Sequence, residues 1–125
     1  MMIQFTIKGR LAGANEIKSA NRAHWSVGAK IVKNDKELVL WTLKAAGLYQ
    51  KGTFTNAAGV SFTWIEPNGK RDVDNISAGQ KVILDALVAS GWLVNDTRRW
   101  VKEIRHFFPD PDPRNPRIMV VVEEL

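Results

Sequence analysis

Cysteine is absent from all 125 residues. That removes disulfides, thiolate zinc sites and cysteine nucleophiles together. Histidine is scarce: His24 and His106 lie far apart and share no metal-ligand spacing. No apolar run is long enough to span a bilayer. The opening Met1-Met2-Ile3-Gln4-Phe5-Thr6-Ile7-Lys8 lacks the basic segment and apolar stretch of a secretion signal. A soluble cytoplasmic protein with no membrane partner is the expectation. No glycine-rich phosphate loop occurs, which argues against a small-nucleotide enzyme. There is no internal repeat and no linker, so residues 1–125 are expected to form one domain.

What is there is apolar bulk and positive charge. At 45% hydrophobic residues the chain can build a core. Eighteen Lys and Arg against thirteen Asp and Glu leave +5, a balance that favours polyanionic partners.

The patterning predicts an α+β domain with a mixed, mostly antiparallel sheet and two main helices, in the order β-α-β-α-β-β. Ile3 to Ile7 alternates as a strand, and Gly9 to Asn21 reads as a loop. Ser26 to Leu48 has helical spacing, and Val60 to Ile65 is rich in strand formers. A second helix is expected from about Asp74 to Ala89, with Gly91 just past its end. Within it Gly79 is a poor helix former and marks a kink or a close approach. Trp100 to Phe108 and Arg117 to Glu124 read as strands flanking a proline-rich loop. Trp41 and Trp64 read as packing; Trp25, beside His24, reads as core bulk or as a platform for a base.

The segment Lys70-Arg71-Asp72-Val73-Asp74-Asn75 carries the chemistry. Two carboxylates one residue apart, in an extended segment, point to the same side. Hard oxygen donors of this kind suit Mg²⁺, or Mn²⁺ in its place. The competing reading is helix capping, since Asp is a favoured N-cap and a helix begins here. On this segment alone the two readings stand level. Asp74 and Lys81 share a face of the expected helix, seven residues being nearly two turns. Lys81 and Asp85 form an i, i+4 pair. Asn95-Asp96 by itself is a turn signal. The second DxD, Asp110 and Asp112, is interleaved with prolines and reads as a solvated loop.

In order, Arg71-Asp72-Val73-Asp74-Asn75, Lys81, Leu84-Asp85-Ala86-Leu87 and Gly91-Trp92-Leu93-Val94-Asn95-Asp96 resemble the RusA family of Holliday junction resolvases. These are small, phage-associated endodeoxyribonucleases. The matching run covers about a quarter of the chain. A looser likeness lies at Asn15-Glu16, Asn21-Arg22 and Gly28-Ala29-Lys30. The resemblance implies a homodimer that binds four-way DNA junctions in recombination and repair, in a bacterial cell and of phage or prophage origin. It implies Mg²⁺-dependent paired nicking that leaves 5′-phosphate and 3′-hydroxyl ends. Asp72, Asp74 and Asp96 match the family's metal-binding carboxylates, and Lys81 its active-site lysine. Two departures stand out. Lys81 lies seven residues after Asp74 rather than four, through an insertion at Ser77-Ala78-Gly79 that shifts it about 4.5–5 Å along a helix. Asn95 stands where the family often has a second Asp.

DNA contact is expected from Lys70, Arg71, Arg98, Arg99 and Lys102 around this segment, with Asn15 and Arg22 added by the N-terminal likeness. Arg105, Lys8 and Arg10 extend the basic set. The reading from another class is a DNA-junction-binding module of the same fold without turnover.

Overall fold

The computed structural model describes all 125 residues. Eight elements follow in order: β1 (Met2–Lys8), α1 (Ala14–Ala23), α2 (Trp25–Ala45), β2 (Ala58–Ile65), α3 (Val73–Ser77), α4 (Gln80–Ala89), β3 (Val101–Phe107) and β4 (Arg117–Glu124). The sheet order is β1-β4-β2-β3. β4 pairs antiparallel with β1 and β2, while β2 and β3 run parallel. The result is the expected α+β architecture with a mixed, mostly antiparallel sheet. Parallel neighbours need a long crossover; here residues 66–100 supply it, and they carry every residue of the acidic motif.

Alternation along the strands separates two sheet faces. Ile3, Phe5 and Ile7 of β1, Val60, Phe62 and Trp64 of β2, and Ile118, Val120 and Val122 of β4 are buried with Val39, Leu43, Ile83 and Leu87 from the helices. Gln4, Thr6, Thr63, Met119 and Val121 line the other face, where they are exposed or half-buried.

Three local expectations are corrected. Residues 14–23 are helical, although Gly9 to Asn21 reads as a loop. The Asn75 amide oxygen accepts from Asn15 N at 2.9 Å, so this helix start is satisfied from sixty residues away, which no local pattern reveals. Trp41 is 67% exposed rather than packed; Lys44 Nζ sits 5.1 Å from its ring centroid and 4.7 Å from that of Tyr49. The single helix expected from Asp74 to Ala89 is two, broken at Ala78-Gly79. A side chain at Gly79 would meet the Trp64 ring at 3.1 Å and Leu11 at 3.3 Å. The glycine thus serves as both break and close approach. At the far end Gly91 has φ +97°, and Trp92 N donates to Leu87 O, a left-handed C-terminal closure as expected.

His106 of β3 is locked into the sheet. Its Nδ1 accepts from Trp64 Nε1 at 2.9 Å, and Nε2 lies 2.9 Å from Gln80 Oε1, which fixes the Nε2–H tautomer. Its ring stacks on Phe62. Burial holds its pKa below the ordinary histidine value. The unfolded chain therefore binds the proton first. This contribution to stability is complete above about pH 6.5 and is lost as pH falls through the folded value. His106→Phe keeps the stacking but leaves the Trp64 donor unmet, so it should cost about 1–3 kcal/mol at pH 7. That difference should shrink between pH 7 and pH 5 in denaturant titrations; a constant difference would contradict the locked neutral ring.

Candidate active site

α4 buries Val82, Ile83, Leu84, Ala86 and Leu87 and turns Lys81 and Asp85 outward. The Gly91 closure and buried Trp92 reverse the chain, and the loop brings Asp96 back beside α4. Lys81 Nζ lies 3.0 Å from Asp85 Oδ1 and 2.9 Å from Asp96 Oδ2. Asn95 Oδ1 accepts from Asp96 N at 2.7 Å and fixes the loop at that carboxylate. Lys36 from α2 completes the wall of an open notch of about 290 Å³ with Lys81, Asp85, Asn95 and Asp96.

The electrostatics of this group are reciprocal. Hydrogen bonds, to Asp96 first and then Asp85, raise the Lys81 pKa. The same bond to Lys81 lowers that of Asp96. Lys81 therefore stays an ammonium at neutral pH and is no general base. It can neutralise charge on an anionic ligand. Asp96 stays an acceptor-only carboxylate. Lys81 is well exposed, so these pairs add little to stability.

Asp72 and Asp74 stand apart from the notch. Asp72 takes the N-cap position of α3, yet its side chain makes no capping hydrogen bond. Capping thus explains its backbone and leaves its carboxylate unused. Asp74 lies in the first turn of α3, and both residues are exposed. The helix is interrupted at Ala78-Gly79, and Asp85 and Asp96 are the carboxylates in ion-pair contact with Lys81. No three carboxylate or histidine side chains approach closely enough to hold one metal ion. Asp72, Asp74 and Asp96 thus form no three-carboxylate cluster in this arrangement; they are the residues that would hold Mg²⁺ if one bound.

The basic residues divide in two. Lys70, Arg98, Arg99, Lys102 and Arg22 are exposed, as is Asn15, whose backbone meets Asn75. Arg98, Arg99 and Lys102 line one continuous surface. Arg71 is different. Its Nε and Nη2 donate to the two Glu66 carboxylate oxygens at 2.7 and 2.8 Å, and Nη1 donates to Leu11 O and Glu16 Oε1, each at 3.1 Å. Its side chain is 9% exposed and that of Glu66 8%. Burial works against its charge, but the bonds to Glu66 and Glu16 together raise its pKa. Expected as a DNA contact, Arg71 instead ties the loop before Asp72 to the start of α1.

Sequence reasoning paired Asp85 with Lys81 but did not single out Lys36, which appears there as one of several lysines along a helix. Asp85 had a signal in its i, i+4 spacing from Lys81; Lys36 had none, since its place depends on how α2 packs on α4. No helix is long and apolar enough to cross a membrane. No family model matches the chain, and no curated protein matches it.

Proposed function

We propose that this protein is a RusA-like, metal-dependent endodeoxyribonuclease that resolves four-way DNA junctions by paired nicks, acting as a homodimer in recombination and repair. One observation carries the reading: Lys81, Asp85 and Asp96, drawn from a sixteen-residue span, meet at 2.9–3.0 Å in an exposed notch. A surface ion pair does not require a buried tryptophan and an asparagine-fixed loop to return the second carboxylate to the first. Lys81 would neutralise charge developing on a scissile phosphate. Lys36, Lys70, Arg98, Arg99 and Lys102 would hold the flanking backbone.

Incubating the protein with a synthetic four-way junction, with and without Mg²⁺, is the direct experiment. Paired symmetric nicks only in the presence of Mg²⁺ are expected, with Mn²⁺ substituting. About five phosphate contacts would lower affinity by about 10²–10³-fold between roughly 50 and 200 mM salt. An affinity flat across that range would contradict the basic rim.

The second reading is a junction-binding module without turnover. It is favoured by the separation of Asp72 and Asp74 from the notch and the lack of an assembled three-carboxylate group. Tight, salt-sensitive binding with intact strands at every Mg²⁺ and Mn²⁺ concentration would establish it in place of the first.

A further inference from the structure

β3 is the edge of the sheet. It pairs with β2 alone, and no element covers its outer side. Along it Val101 is buried, whereas Lys102, Glu103, Ile104, Arg105 and Phe107 are exposed; Ile104 is 40% and Phe107 51% exposed. An uncapped edge offers a row of free N–H and C=O groups to another strand. Proline, a covering helix or loop, bulges and edge charges, lysine above all, blunt such an edge. β3 has no proline; its register shift against β2 is confined to the start of the strand around Lys102, and from Glu103 to Phe107 the pairing is regular, with exposed Ile104 and Phe107 among the charges.

The order of those side chains selects a partner. In an antiparallel pair of identical strands, residues opposite each other must lie on the same sheet face, so the two-fold axis falls on a residue. Centred on Ile104, the pairing sets Ile104 against its own copy and Glu103 against Arg105 in both directions; Val101 lies beyond the register shift in β3 and is buried on the core face beside Ala58. Glu103 and Arg105 already share a face, 3.6 Å apart within one chain. The neighbouring registers fail: centring on Glu103 opposes two glutamates, and centring on Arg105 opposes two arginines. Opposite charges across a strand pair stabilise it and like charges destabilise it. The strand is thus complementary to itself in one register and repelled in those beside it.

We propose that two copies of this chain pair through their β3 edges, antiparallel about Ile104, to form one continuous eight-stranded sheet. The other edge, β1, is a poorer candidate. Its apolar Ile3, Phe5 and Ile7 are already buried, and its exposed Met2, Gln4, Thr6 and Lys8 contain no opposite charges to select a register. The inference rests on the edge alone and holds whether or not the protein cleaves DNA.

Sedimentation equilibrium on the full chain tests it. The wild type should dimerise. Arg105→Glu and Glu103→Arg should each weaken the dimer about tenfold or more, because both symmetry-related contacts become like-charged. The exchanged variant, Glu103→Arg with Arg105→Glu, should restore it. Mixing the two single variants should give a heterodimer, since each then meets the charge it lacks. Circular dichroism checks that every variant folds, and two exposed positions make that the expected result. A wild type that stays monomeric up to about 100 µM would overturn the proposal. So would a dimer that Arg105→Glu leaves intact, or single variants that ignore one another when mixed.

Discussion

Asp96→Asn should abolish or nearly abolish junction nicking, by about 10²-fold or more, while the protein stays folded and bound to the junction. The change keeps the shape of the side chain and removes its charge. Asp96 is an ionised acceptor, held so by the Lys81 hydrogen bond and positioned by Asn95. Its amide counterpart supplies one weaker acceptor and no charge to balance a cation. Losing one preorganised electrostatic group in an active site typically costs about 10²–10³-fold in turnover. Stability should barely change, because the Lys81 contact is solvent-screened. Binding should hold or tighten, since a negative charge leaves the neighbourhood of phosphate. The measurement is single-turnover nicking set against gel-shift affinity, which separates chemistry from association. Nicking at the wild-type rate would remove Asp96 from the mechanism and, with it, the argument built on the Lys81, Asp85 and Asp96 group.

Arg71→Ala should cost the fold about 3–5 kcal/mol. Four guanidinium N–H groups are spent inside the protein, and the Glu66 carboxylate they hold is itself buried. Removing one partner of a buried pair leaves the other charged and without its main compensation; Arg10, 3.7 Å from Glu66 and partly exposed, replaces little of it. The expected fall in Tm is roughly 10–20 °C for a domain of this size. Arg71→Lys should rescue little, because one ammonium cannot reproduce the two-pronged bond to Glu66 or reach Leu11 and Glu16 at once. Substituting Arg98 and Arg99 with alanine should do the reverse, lowering junction affinity with Tm nearly unchanged. If Arg71→Ala melted like the wild type and bound DNA more weakly, the residue would belong to the binding surface after all.

These two arginine outcomes mark how far the sequence carries. Arg71 and Arg98 look alike in a list of basic residues flanking acidic ones. One is internal and one is exposed because Glu66, at the end of β2, points back at the loop that follows it. That orientation depends on the sheet. The aspartates divide in the same way. The spacing of Lys81 and Asp85 encodes their contact, since four residues make one turn of any helix. The return of Asp96 depends on the Gly91 closure and on where Trp92 is buried. The helix expected from Asp74 is interrupted at Ala78-Gly79, where the Trp64 ring approaches so closely that only glycine fits. The glycine is visible in the chain, but the tryptophan that makes it necessary lies fifteen residues away on a strand.

By itself the sequence determined the strands, the long second helix, the closure at Gly91 and the chemistry present in the crossover. Alternation, helical spacing and turn residues are local physics and need no partner to be read. Tertiary structure alone decided that residues 14–23 are helical, that Trp41 is exposed, that Arg71 is internal, and that Asp96 meets Lys81 while Asp72 and Asp74 stand apart. Each of those outcomes turns on a contact between residues distant in sequence, where the group that satisfies or excludes a side chain lies on another element.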